Sequence, residues 1–245
     1  MILAHNVGSM LREAYNKIPK GILDEIYVMD NSTHDETYKI AKKMGLKIFR
    51  NTVRAGYGGN VKEGLLRGME MGADYIVEIH GDGAQFHPKS VKYAFPYMEE
   101  GVDFILGSRF QNPRQALKNG MPLIRYVANR FLSFIDLAVL KLPFTEFHTG
   151  FRIYGKNFLK KVPFEKNSDD YLFSFQIIAQ AAYYNATTAE VPVEADYHGE
   201  HTSHRLSGAF LYALQTFKVL YEYILAKYFS VNRSTFSNVD ISRSE

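Results

Sequence analysis

Short runs of β-forming residues alternate with stretches of helical periodicity, and this constrains the chain more than any other feature. Ile26–Met29, Lys47–Phe49, Tyr75–Ile79 and Phe104–Gly107 read as strands. Between them, Glu36–Met44 puts Tyr38, Ile40, Ala41 and Met44 on one face, and Asn60–Met71 does the same with Val61, Leu65, Leu66 and Met69. Strands joined through helices of this length need crossover connections. They predict an α/β fold, a mostly parallel sheet flanked by helices. Hydrophobic residues make up 46% of the chain, enough for a buried core and too many for a disordered one. A net charge of +3 without a basic block argues against a nucleic-acid partner. The absence of cysteine excludes disulfides, thiolate catalysis and cysteine metal sites, and fits a reducing compartment. No apolar run is long enough to span a bilayer, and the N-terminus lacks the basic and apolar regions of a signal peptide. The expectation is a cytoplasmic protein, with peripheral contact to the membrane left open.

Further along, Asp169–Ala182 reads as a buried helix. Thr188–Ala195 reads as a strand that Pro192 confines to an edge. Leu206–Phe229 is a long amphipathic helix interrupted by Lys218, Glu222 and Lys227, suited to docking on the domain or to a lipid interface. The expected organisation is one domain over residues 1–205, its first strand truncated at Met1. This helix follows over 206–229, then a flexible polar tail over 230–245.

Ligands of open parallel sheets bind at the carboxyl ends of the strands. Two of those ends are acidic here, the turn from Asp30 to Thr37 and the turn from His80 to Pro88. Asp30 and Asp82 would then face one crevice. Asp82, flanked by Gly81 and Gly83, is placed to hold a hard divalent cation shared with a diphosphate, although the glycines equally suit a tight turn. The Gly56–Asn60 loop suggests a phosphate cradle but matches neither a Walker loop nor a dinucleotide fingerprint. His198, His201 and His204 could suggest zinc, but their spacing fits one helical face poorly, and solvated loop histidines are the commoner reading. No G-x-S-x-G elbow supports serine hydrolysis.

In their order along the chain, these segments resemble the family-two glycosyltransferases of GT-A fold, most closely the dolichyl-phosphate mannose synthase-like branch. The matching segments are Ala4–Asn6, Asp30–Thr37, Arg50–Pro88, Gly107–Phe110, Met121–Ser133, His148–Tyr154 and Glu190–Ser203. The resemblance implies a GT-A (Rossmann-like) sheet. It implies contact of Ala4, His5, Asn6 and Asp30 with the base and ribose of a nucleotide. It makes Asp82 the metal-binding aspartate of a D-x-D motif, for Mg²⁺ or Mn²⁺, with Gly81 beside it and Gln85 near the diphosphate. Arg109 and Arg125 would neutralise phosphate on the leaving group or the acceptor, as guanidinium forks do. His80 stands where the first D-x-D aspartate is usual, and an imidazole there can bind Mn²⁺ or donate to phosphate.

The implied reaction is inverting transfer of a hexose from a GDP- or UDP-linked sugar. A polyprenyl phosphate acceptor is already an anion and needs no base. A sugar hydroxyl would need one, for which Asp169 or Asp170 is the candidate, each equally suited to cap a helix. A sugar-nucleotide-binding protein without turnover is the alternative from another class. A homo-oligomer is compatible with the sequence.

Overall fold

The computed structural model describes residues 1–32, 36–51, 55–82, 87–195, 197 and 206–237. Gln85, Gly83 and the histidines His198, His201 and His204 lie outside them. In chain order the elements are β1 (Ile2–Ala4), α1 (Gly8–Asn16), β2 (Tyr27–Asp30), α2 (Thr37–Lys43), β3 (Lys47–Arg50), α3 (Tyr57–Glu70), β4 (Tyr75–His80), α4 (Phe95–Glu99) and β5 (Phe104–Ser108). Then come α5 (Pro113–Lys118), α6 (Leu123–Leu140), β6 (Arg152–Gly155), α7 (Lys156–Lys161), α8 (Phe173–Tyr183), β7 (Thr188–Pro192) and α9 (Leu206–Phe229).

Among the described residues the seven strands form one sheet in the order β3-β2-β1-β4-β6-β5-β7. All pairings are parallel except the two made by β6, which runs antiparallel between β4 and β5. The expected mostly parallel α/β sheet is therefore present, and Pro192 ends the edge strand β7, where its missing N–H costs no ladder bond. Side chains alternate across the pleat. Ile2, Ala4, Val28, Val77, Ile105 and Ile153 face one core, with α1 and α2 over it. Leu3, Met29, Ile76, Phe104, Leu106 and Tyr154 face the other, which α3, α8 and α9 cover. Burial of each large side chain there contributes about 1.5–3 kcal/mol relative to exposure.

Helix α8 is buried along almost its whole length, as expected, and Ser174, Gln176 and Gln180 are buried with its apolar residues. Helix α9 packs on it through Val219, Leu220, Tyr223 and Ala226. Of the expected flexible tail, residues 238–245 lie outside the described residues, and the stretch before them packs on the domain. Thr235 and Phe236 are buried, Gln180 Nε2 donates to the Thr235 carbonyl at 2.8 Å, and the Tyr184 hydroxyl donates to that of Ser237 at 2.5 Å. One aromatic and two polar anchors on α8 and its C-terminus tie this stretch to the core. Helix α6 buries Ser133 and Asp136 along with Leu140, whereas Leu123, Ile124, Val127, Phe131 and Phe134 point outward.

Candidate active site

Strand β1 pairs with β2 on one side and β4 on the other, with Ala4 opposite Asp30 and Leu3 opposite His80. Asp30 and Asp82 thus leave the same rim of the sheet, two strand spacings or about 10 Å apart. Asp30 is fully buried. Its Oδ1 accepts from the Ser32 backbone N–H at 2.9 Å, while Oδ2 has no hydrogen bond among the described residues and lies 3.5 Å from Arg50 Nε. Asn6, at a left-handed φ of 53°, donates its backbone N–H to Ser32 Oγ, and His5 Nδ1 meets the Asn31 carbonyl. These contacts draw the Ala4–Asn6 segment over Asp30. Gly81 serves the closeness of β1 and β4, since a methyl there would lie 2.7 Å from the Leu3 carbonyl oxygen that its own N–H bonds. Its smallness is thus accounted for within the protein.

His80 turns Nε2 toward Glu78 Oε1 at 3.5 Å. Glu78 is fully buried on β4 and directly opposite Arg152 on β6, with which it forms an ion pair at 3.3 Å. It also accepts from the Tyr57 hydroxyl and, at 2.5 Å, from that of Tyr154. Burial is the largest influence on Glu78 and pushes its carboxyl up. Arg152, His80 and Tyr154 together outweigh it and hold the pKa at about 2. The same burial works against the Arg152 charge, and Tyr57 and Glu78 overcome it and raise its pKa. This cluster lies under the rim, beneath His80. Sequence reading missed it, although a glutamate in the otherwise apolar run Tyr75–Ile79 was its signal.

The glycine loop expected to cradle phosphate does something else. Gly58 and Gly59 belong to the first turn of α3, and Gly59 donates its N–H to the Asp169 carbonyl at 3.0 Å. A methyl at Gly58 would collide with the carbonyls of Ser168 and Asp170. The glycines make room for the 168–170 backbone, which occupies the helix N-terminus. Asp169 forms an ion pair with Lys62 at 2.6 Å. The residue preceding α8 is Leu172, which makes no side-chain cap, so neither aspartate takes the capping role. Tyr171 stacks on Tyr57 at 4.9 Å. Its pKa is raised by burial and then by the charges of Asp170 and Asp82, so both carboxylates lie within electrostatic range of Tyr171.

Arg109 and Arg125 are brought together beyond β5. Arg109 is buried and its charge is balanced within the protein. Its Nε donates to Glu146 Oε1 at 2.8 Å, its backbone N–H to Oε2 at 2.7 Å, and its remaining nitrogens to Glu146, the Tyr197 hydroxyl and the His148 carbonyl. Burial opposes this charge, and Glu146 overcomes it to raise the pKa. Nothing local in the chain points to Glu146, 37 positions away. Arg125 differs. It lies over the Tyr197 ring at 5.4 Å and has no carboxylate within ion-pair reach among the described residues. Its pKa is lowered by burial, with the like charge of Arg109 adding to the effect. Arg109 and Tyr197 line a cleft of about 320 Å³ at the ends of β5 and β7, together with Lys89, Lys92 and Asn112.

A mostly parallel sheet with an acidic rim and a single antiparallel strand is the architecture of GT-A glycosyltransferases. Glucosyl-3-phosphoglycerate synthase from Mycobacterium tuberculosis, solved with Mn²⁺, UDP and phosphoglyceric acid, superposes with a TM-score of 0.66 at 17% identity, over 91% of this chain and 76% of that one. The family model for glycosyl transferase family 2 matches residues 1–163, and the chain belongs to that family. It is a glycosyltransferase. An uncharacterized protein of Methanocaldococcus jannaschii is 30% identical over 94% of this chain and 91% of its own length. The UDP-N-acetylglucosamine–dolichyl-phosphate N-acetylglucosaminyltransferase of Methanococcus voltae is 27% identical over 80% of this chain and 84% of its own. The undecaprenyl-phosphate mannosyltransferase of Micrococcus luteus is 25% identical, with coverages of 69% and 70%.

Proposed function

We propose that the enzyme transfers a hexose, with inversion, from a nucleoside-diphosphate sugar to a polyprenyl phosphate. The observation that carries this reading is Arg125, a guanidinium without a carboxylate partner among the described residues, beside the self-neutralised Arg109–Glu146 pair. It belongs to the first turn of α6, where Leu123 and Ile124 are exposed next to it. A cation beside exposed apolar side chains suits a phosphate carried on a hydrocarbon chain. The two relatives with named activities use different sugars, and both names specify a polyprenyl-type phosphate as acceptor.

On the donor side, the buried Asp30 Oδ2 is an acceptor suited to an N–H or hydroxyl of the nucleotide, with Ala4, His5 and Asn6 around it. Asp82 offers a carboxylate to a hard cation, whose other ligands would be diphosphate and water oxygens, so the residues fit Mg²⁺ or Mn²⁺ held by one protein carboxylate. Among the described residues no three His, Asp or Glu side chains converge into an all-protein cage. His80, turned toward Glu78, contributes to the buried cluster rather than to this donor set. Such a cation offsets negative charge building on the departing diphosphate. Arg125 holds the acceptor phosphate, whose oxygen attacks the anomeric carbon from the face opposite the diphosphate. Being an anion already, it loses no proton to the enzyme.

A hydroxyl acceptor is the second reading, favoured by Asp170, which like Asp82 lies within electrostatic range of Tyr171. A screen of UDP- and GDP-linked sugars against a polyprenyl phosphate and a free sugar, read by released nucleoside diphosphate, tests both. Release that depends on the lipid phosphate is expected. Release with the free sugar alone would replace the first reading by the second, and tight donor binding without release would make the chain a sugar-nucleotide-binding protein.

A further inference from the structure

Helix α6 is apolar on both faces: Leu140 is buried and Ile135 and Val139 pack against the core, yet the side turned to water is apolar as well. Ser133 and Asp136 point inward, where Ser133 Oγ accepts from the Phe147 N–H at 3.3 Å and Asp136 lies 3.0 Å from His148 Nε2. Outward it presents Ile124 at 75% exposure, Phe131 at 61% and Phe134 at 69%, with Val127 and Leu137 in the same row. Helix α9 packs beside α6 and on the same buried α8, and its outward side shows Phe210, Leu214 and Tyr221. Two adjoining helices thus leave a broad apolar face uncovered, and such faces mark interaction sites.

The charges around this face point to its occupant. From Pro113 to Lys141 the basic residues are Arg114, Lys118, Arg125, Arg130 and Lys141, and the only acidic one, Asp136, is buried. A second copy meeting this segment about a two-fold axis would set like charges against like. An anionic lipid surface supplies the opposite charge together with an apolar interior. Neither helix is long and apolar enough to cross a membrane, which leaves them to lie in the interface.

We infer that the outward face of α6, extended by α9, docks the enzyme on an anionic membrane surface. Docking there brings Arg125, on the first turn of α6, to the level of the lipid headgroups. This inference deepens the proposed acceptor and rests on it only for that last step.

The test uses the full chain and two vesicle types, phosphatidylcholine alone and phosphatidylcholine mixed with phosphatidylglycerol. Co-sedimentation with the mixed vesicles is expected to be at least about ten-fold stronger and to weaken with salt. Phe131→Glu combined with Phe134→Glu should lower it about ten-fold or more, with an unchanged thermal melt because both side chains are exposed. A variant that binds as the parent does would overturn the inference. So would a parent that ignores vesicles but forms a dimer, by light scattering, that the double substitution splits. A short-chain, water-soluble polyprenyl phosphate assayed without vesicles separates this from the proposed reaction. Turnover should be equal in parent and variant, and vesicle binding that depends on Phe131 and Phe134 without any turnover would leave the docking standing and remove the acceptor.

Discussion

The two halves of the rim are charged on opposite plans. On the β3–β2–β1–β4 side, carboxylates come directly off strand ends, Asp30 closing β2 and Asp82 following β4, with Arg50 at the end of β3 beside Asp30. On the β6–β5–β7 side, guanidinium groups prevail, and a distant residue decides what each can do. Arg109 is held by Glu146 through side chain and backbone, while Arg125, close enough to feel its charge, has no such partner among the described residues. A charge at a strand end is available to a ligand only if the fold has not already used it. Two arginines that look equivalent in the chain are therefore not equivalent in the protein.

The comparison can be broken most sharply at Asp82. If this carboxylate serves the leaving diphosphate, Asp82→Ala should cut turnover about 10³-fold, the scale of removing one preorganised electrostatic group. The melting temperature should stay nearly unchanged, because the side chain is only half-buried at the rim. Turnover within a few-fold of the parent would take Asp82 out of the chemistry.

The two arginines give the next contrast. Arg109→Ala leaves Glu146 buried without its cation and should cost about 3–5 kcal/mol of stability, visible in denaturant melts. Arg125→Ala should leave the melt close to the parent and lower turnover about 10²-fold, chiefly through a higher KM for the phosphate acceptor. A raised KM for the sugar nucleotide instead would reassign Arg125 to the donor half. Equal stability losses in both variants would erase the difference between them.

How much of this was legible follows from what each feature depends on. The β2, β3, β4 and β5 runs and the Asp30 and Asp82 turns depend on local periodicity and turn chemistry, and both are readable within a few residues. Strand β6 is four residues long with Arg152 inside it, so no apolar alternation announces it. Its arginine makes sense only opposite Glu78, 74 positions earlier. The Gly56–Asn60 loop looked like a ligand cradle because a glycine records a need for closeness without naming the partner, which here is the Ser168–Asp170 backbone. Helix α6 is apolar all round, with Leu140 buried and Phe131 and Phe134 exposed, so its periodicity does not say which face meets the core.

The Glu78–Arg152 pair joins the two halves, and pH should separate its contribution from the rest. Glu78 is held at about 2, below its ordinary 4.5, so the stability it adds is full above pH 4.5 and drains away as pH falls toward 2. At neutral pH this amounts to about 3 kcal/mol, by the conversion of about 1.4 kcal/mol per tenfold. Glu78→Gln should be less stable than the parent by about that much at pH 7, and the gap should narrow steadily below pH 4.5. A gap independent of pH would mean that shape, rather than charge, is what β4 and β6 share at this point.

The smallest expected effect belongs to Asp170, and its smallness is the informative part. Asp169 is bound to Lys62, so Asp170 is the carboxylate of that turn left to act, within electrostatic range of Tyr171 as Asp82 is. A phosphate acceptor arrives as an anion, and Asp170→Asn should then change turnover by no more than about two-fold, with the same pH profile in both proteins. A hydroxyl acceptor must lose its proton, and the same substitution would cost about 10²–10⁴-fold. It would also remove an acid limb from the pH profile of the parent. The acidic half of the rim would in that case do the deprotonation as well as hold the donor, and the guanidinium half would lose its claim to the acceptor.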